Sequence, residues 1–217
     1  MSVVPIQRRL EWIALRPQAS RAELEIQFLE AKRLNCLAVC VAGSRVELAA
    51  SILSESQTKV SALVGFPFGS ADPDVKRFEV EAALDAGAQE LDVVINNGWL
   101  RDGNHAAVLR ELRDVREAAD ERPVKAIIEL GLLSIDEARQ AGLLAAEAEI
   151  QFLVTASGCS PRPTTLEEVR SLREAIGPEL GLKVVGGIQD LAAAESAIAA
   201  GANRLGVFDL TPFDDTP

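Results

Sequence analysis

AALDAGAQELDVV, residues 82–94, decides the fold. Alanine and leucine run up to Gly87 at helical spacing, and from Glu90 the chain becomes a short β-branched run. A glycine at that junction can take the left-handed conformation that ends a helix and releases the chain into a strand. The same unit returns as SAIAAGANRLGVF at 196–208, with Gly201 in the equivalent place. Working outward, comparable apolar runs are LEWIAL (10–15), LAVCV (37–41), VSALVGF (60–66), VKAIIEL (124–130), QFLVT (151–155) and LKVVGGI (182–188). Runs this short and this apolar suit strands buried on both faces, hence a parallel sheet.

Helix signals fill the intervals. Ser20-x-x-Glu23, Ser134-x-x-Glu137 and Thr165-x-x-Glu168 read as capping boxes. Helical spacing is also evident over 73–86 and from Asn104 to Glu121. Eight strands alternating with helices predict a (β/α)8 TIM barrel spanning 1–217 as one domain. An open doubly wound sheet is the alternative, but Gly-x-Gly-x-x-Gly follows none of the strands. After Phe208 the chain runs DLTPFDDTP, too rich in proline and acid for a closing helix. The barrel is therefore expected to be truncated after its last strand, with wall left bare for a second copy to cover, that is, a homo-oligomer.

Composition sets outer limits. Of 217 residues 48% are hydrophobic and only 4% aromatic, so the core is aliphatic. The net charge of −11 disfavours nucleic acid and anionic membrane surfaces as partners. Cys36, Cys40 and Cys159 form no even framework, which suits reduced thiols in a cytoplasmic protein. The opening MSVVPIQRRLEW has no unbroken apolar core of a signal peptide, and no window predicts a membrane span.

Reactive groups in such barrels sit at the C-terminal ends of strands and point inward. Residues two apart share a strand face, which groups Asp92 with Val94 and Asn96, Lys125 with Ile127 and Glu129, and Lys183 with Val185. A lone buried charge is costly, so Asp92 and Lys183 are the first pair to expect. They read either as an ion pair supporting the barrel or as an acid/base pair with shifted pKa values. Lys125 begins its strand and should lie deep. His105 falls at a helix start, on the surface; Trp99 packs under its loop; Cys159 lies in a strand-end loop without a histidine to activate it. No metal or cofactor is expected, since one histidine cannot build a histidine-rich site, and Glu129 with Asp92 is a poor substitute.

GFPFG (65–69), GAQELDVVINNGWLRDG (87–103), KAIIELGLL (125–133) and LKVVGGIQ (182–189) resemble, in order and spacing, the motif series of deoxyribose-phosphate aldolases. The likeness runs from Leu10 to Phe208. It implies a lyase that splits 2-deoxyribose 5-phosphate into acetaldehyde and glyceraldehyde 3-phosphate through a lysine imine, without metal. By position Asp92 matches the family's proton-relay aspartate and Lys183 its second lysine. Gly186 and Gly187 match the turn that holds phosphate, and Asn96, Glu129 and Thr155 stand as further substrate-binding candidates.

The departures fall on the chemistry. Where the family has F-V-K-T-S-T-G, this chain reads Phe152-Leu153-Val154-Thr155-Ala156-Ser157-Gly158, and Val154 has no nitrogen. Glu11-Trp12-Ile13 replaces a D-H-T-type segment, Ala42 an asparagine, and Phe208-Asp209 small hydroxylated residues beside the phosphate. The chain also has no tyrosine for a catalytic tail. Near an ordinary pKa of about 10.4, roughly one lysine in a few thousand is neutral at pH 7, and Asp92 would push Lys183 higher still. Three readings follow: a divergent lyase using Lys183 and Asp92 on a small carbonyl or sugar; a catalytically silent paralogue that binds or assembles; or a barrel enzyme with other chemistry.

Overall fold

The computed structural model describes residues 4–159 and 162–214. Met1–Val3 of the N-terminal segment and Asp215–Pro217 of the tail, both read above, lie outside the described residues. Strands β1 (Leu10–Ala14), β2 (Ala38–Val41), β3 (Lys59–Val64), β4 (Glu90–Val94), β5 (Val124–Ile127), β6 (Phe152–Val154), β7 (Gly181–Val185) and β8 (Arg204–Val207) pair in that order. The barrel closes where β1 pairs in parallel with β8, Leu10 opposite Leu205. Around it run α1 (Arg21–Arg33), α2 (Val46–Leu53), α3 (Pro73–Asp85), α4 (Asn97–Arg101), α5 (His105–Ala118), α6 (Ile135–Glu147), α7 (Leu166–Ile176) and α8 (Leu191–Ala199).

Local chemistry begins and ends these helices as the sequence predicts. Ser20, Ser134 and Thr165 each accept from the third backbone amide of their helix, while the glutamate there reaches back to the cap. Gly87 and Gly201 take φ of +101° and +115°, where a side chain would be strained. The short α4 was not anticipated. Asn96 starts it by accepting from the Trp99 amide at 3.2 Å.

Strand alternation divides the core in two. Val39, Val93, Leu153, Val184 and their outward-facing counterparts pack against the helices. Ile13, Cys40, Leu63, Val94, Ile127, Val154, Ala156 and Val185 fill the barrel interior toward its mouth. Gly206 belongs to this interior. A Cβ there would sit 2.6 Å from Val185 Cγ2 and 2.8 Å from Ile13 Cδ1, so the strand can approach its neighbours only without a side chain.

The truncation after β8 is as expected, but the bare wall expected with it is not found. No full helix follows β8 among the described residues, only a 3-10 turn at Thr211–Phe213. Wall at the seam is nevertheless covered, because Leu210 and Phe213 are buried in the outer core. Gln7 Nε2 donates to Phe213 O, and Arg33 pairs with Asp214 at 2.5 Å, holding that turn across the seam. Two apolar anchors do the covering that a helix does elsewhere. No helix among the described residues is long and apolar enough to cross a membrane.

Candidate active site

Asp92 and Lys183 do meet: Nζ donates to Oδ1 at 2.9 Å. They are two members of a larger cage. Lys183 Nζ also lies 2.5 Å from Glu11 Oε2. Lys125 reaches Glu11, Glu90 and Asp92 at 2.8, 3.0 and 2.9 Å. Arg204 bridges Glu11 and Glu90 at 2.8 and 2.5 Å, with its guanidinium over the Phe152 ring. Lys59 adds a contact to Glu90 from a partly exposed position. Asp92 Oδ2 additionally accepts from Ser61 Oγ and from the Cys40 thiol.

The cage explains the pKa directions. Burial opposes ionisation of Glu11, but Lys125, Lys183 and Arg204 outweigh it and hold the carboxyl well below its ordinary 4.5. Glu90 follows the same logic, falling to about 2 against its own desolvation and the repulsion of Glu11. Desolvation would lower Lys183, yet Asp92 and Glu11 win and its pKa rises. Burial first, then Asp92, raises Cys40, which stays a thiol and can donate. Lys183 is thus a protonated ammonium held by two carboxylates.

Depth matters as much as charge. Ile13, Leu63, Ile127 and Val185 each follow Glu11, Ser61, Lys125 and Lys183 by two residues, so they form the next inward-facing layer, roughly 6 Å nearer the mouth. Val154, 1% exposed, is the register neighbour of Lys183 across β6 and β7. An apolar layer therefore lies between the cage and the mouth.

The remaining candidates serve the rim. Thr155 Oγ1 accepts from the Val185 amide at 3.0 Å and ties β6 to β7. Glu129, in a left-handed conformation at φ +48°, accepts from the Ser157 amide at 2.7 Å. Asn96 caps α4, and its own amide donates to Glu111 at 3.0 Å. Gly186 and Gly187 turn at φ +90° and +76° beside Pro163 and Thr164. His105 is exposed at the start of α5, and Trp99 is half-buried against the core. The mouth itself holds a mostly apolar cavity of about 270 Å³, lined by Ile13, Leu15, Phe66, Cys159 and Phe208 with Trp12 behind. Neither Lys183 nor Asp92 lines it. Asp209 faces an adjoining groove, where its side chain accepts from the Thr211 amide at 2.9 Å.

Reading the sequence missed Glu90 and Arg204 and took Glu11 only as a departure. The signal was available: all three are charged residues in the inward phase of otherwise apolar strands. The buried Lys76, which donates to Gly69 O, Val94 O and Glu111, carried no comparable signal because it lies on a helix.

A pH dependence follows. Glu11 has a depressed folded pKa, so its stabilising contribution is present above 4.5 and is lost as pH falls through the folded value. Glu111 runs the other way, because burial raises its pKa. The contrast with Glu11→Gln isolates the cage: the stability gap between wild type and variant should be widest near neutrality and narrow below 4.5 in urea titrations. A gap that stays constant to the acid limit contradicts the charge assignment.

Comparison with known proteins bears on this site. The sequence profile of the DeoC/LacD family aldolases matches residues 13–208. Deoxyribose-phosphate aldolase 1 of Bacillus licheniformis is 40% identical over 202 residues, covering 93% of this chain and 91% of the relative. Among solved structures the aldolase QR15 superposes with a TM-score of 0.91 at 35% identity, over 95% of this chain and 92% of its own. The tetrameric deoxyribose phosphate aldolase of Aeropyrum pernix gives 0.86 at 24% identity over 95% and 88%, a likeness of fold.

Proposed function

Since the chain belongs to the DeoC/LacD aldolase family, we propose that it is a divergent deoxyribose-phosphate aldolase-like protein that has lost imine chemistry and binds a small molecule at its barrel mouth. One observation carries this reading: Val154, at the position where the resemblance puts the imine lysine, is aliphatic, and its register neighbour Lys183 is held in ion pairs with Glu11 and Asp92. An imine needs a free electron pair on nitrogen. Lys183 has none to offer while Glu11 and Asp92 keep it protonated. Asp92 is likewise engaged on both oxygens, which argues against a mobile proton relay. The reading includes self-association. Its support is the exposed Ile26 and Leu29 on α1, Ile26 sharing a groove with Phe208, together with the tetrameric relative.

The direct test is reductive trapping. Wild-type protein incubated with acetaldehyde or 2-deoxyribose 5-phosphate and then borohydride should keep its intact mass from about pH 6 to 9. An adduct that disappears in Lys183→Met would reverse the proposal and restore a lyase.

A further inference from the structure

We infer that the mouth cavity takes a small hydrophobic carboxylate, held by its body against Trp12 and Phe208 and by its acid group at Arg16 and Gln27. This deepens the reading of the mouth as a non-covalent site and rests on it. A volume of about 270 Å³ exceeds the roughly 150 Å³ in which a purely apolar cavity already holds benzene. There is room for one ring and a short arm. Ile13, Leu15 and Phe66 continue the apolar wall.

Two polar groups converge on this wall. Arg16 and Gln27 both line the cavity. In a chain of net charge −11, no aspartate or glutamate among the described residues lines the cavity, and Arg16 is the one charged residue among those that do. Glu23 is held in the Ser20 capping box and also interacts electrostatically with Arg16, and Asp209 accepts from the Thr211 amide. A guanidinium fork matches a planar carboxylate. A phosphate dianion brings more charge than one arginine offsets, and it gains nothing from the apolar wall.

Trp12 reports occupancy, because it lines the cavity while Trp99 lies in a separate groove. The experiment titrates phenylacetate, phenylacetamide and inorganic phosphate into Trp99→Phe protein and reads Trp12 fluorescence. Phenylacetate should give a saturable change at millimolar concentration. Phenylacetamide should bind at least about tenfold more weakly, as should phenylacetate to Arg16→Gln, the loss of one charge-assisted contact. Phosphate should neither bind nor compete. Cys159→Phe, a change at an exposed loop position on the cavity rim, should abolish the response with its melting temperature retained. The inference is overturned if phenylacetate gives no saturable change, if phenylacetamide binds equally, if Arg16→Gln has no effect, or if phosphate competes. A carboxylate cannot form an imine with lysine, so this outcome is independent of the trapping result.

Discussion

Val154→Lys gains a borohydride-trapped adduct with acetaldehyde, whereas the wild type gives none. The reason lies in the charge count of the interior. Glu11, Glu90 and Asp92 are already matched by Lys125, Lys183 and Arg204, with Lys59 as a fourth cation at the edge. An amine introduced at 154 stands beside Lys183 and finds no carboxylate left to hold its proton. Burial and the neighbouring ammonium both favour its neutral form, the state that attacks a carbonyl. The variant also loses a few kcal/mol of stability, because a buried apolar group is replaced by a polar one. The adduct should map to position 154 by peptide mass and vanish in Val154→Met. If folded Val154→Lys stays unmodified at every pH, the barrel mouth has been remodelled beyond a single lost amine.

Lys125→Met costs more stability than Lys183→Met. Lys125 contacts three carboxylates, is fully buried, and its pKa is raised by Asp92, Glu11 and Glu90 despite desolvation. Removing one partner of a buried ion pair leaves uncompensated charge and costs about 3–5 kcal/mol. For a chain of this size that is a drop of roughly 6–20 °C in melting temperature. Lys183→Met should cost less, because Glu11 keeps Lys125 and Arg204 while Asp92 keeps Lys125 and Ser61. Differential scanning calorimetry gives the ranking. A Lys183→Met protein more stable than wild type would mark Lys183 as a residue retained for activity at the expense of stability, and the silent reading would be lost.

Much of the site was legible from alternation alone. Asp92, Lys125 and Lys183 fall in the inward phase of apolar strands, and an unpaired charge cannot stay there. That reasoning predicts that they pair, without saying with whom. Glu11 is legible in the same way from its inward phase in β1, although the resemblance marks it only as a departure. The seam was misread for a related reason: composition rules out a helix after β8, yet says nothing about two apolar side chains, Leu210 and Phe213, reaching back to cover the wall.

By itself the sequence determined the eight strands, the helices that Ser20, Ser134 and Thr165 start, and the absence of an amine at 154. These are short-range matters, settled by periodicity, capping groups and the identity of one side chain. Only the tertiary structure decided that Glu11 of β1, Asp92 of β4, Lys125 of β5, Lys183 of β7 and Arg204 of β8 meet in one cage beneath an apolar layer. Closure of the barrel between β1 and β8 brings together residues as far apart as 11 and 204, and no local pattern encodes that distance.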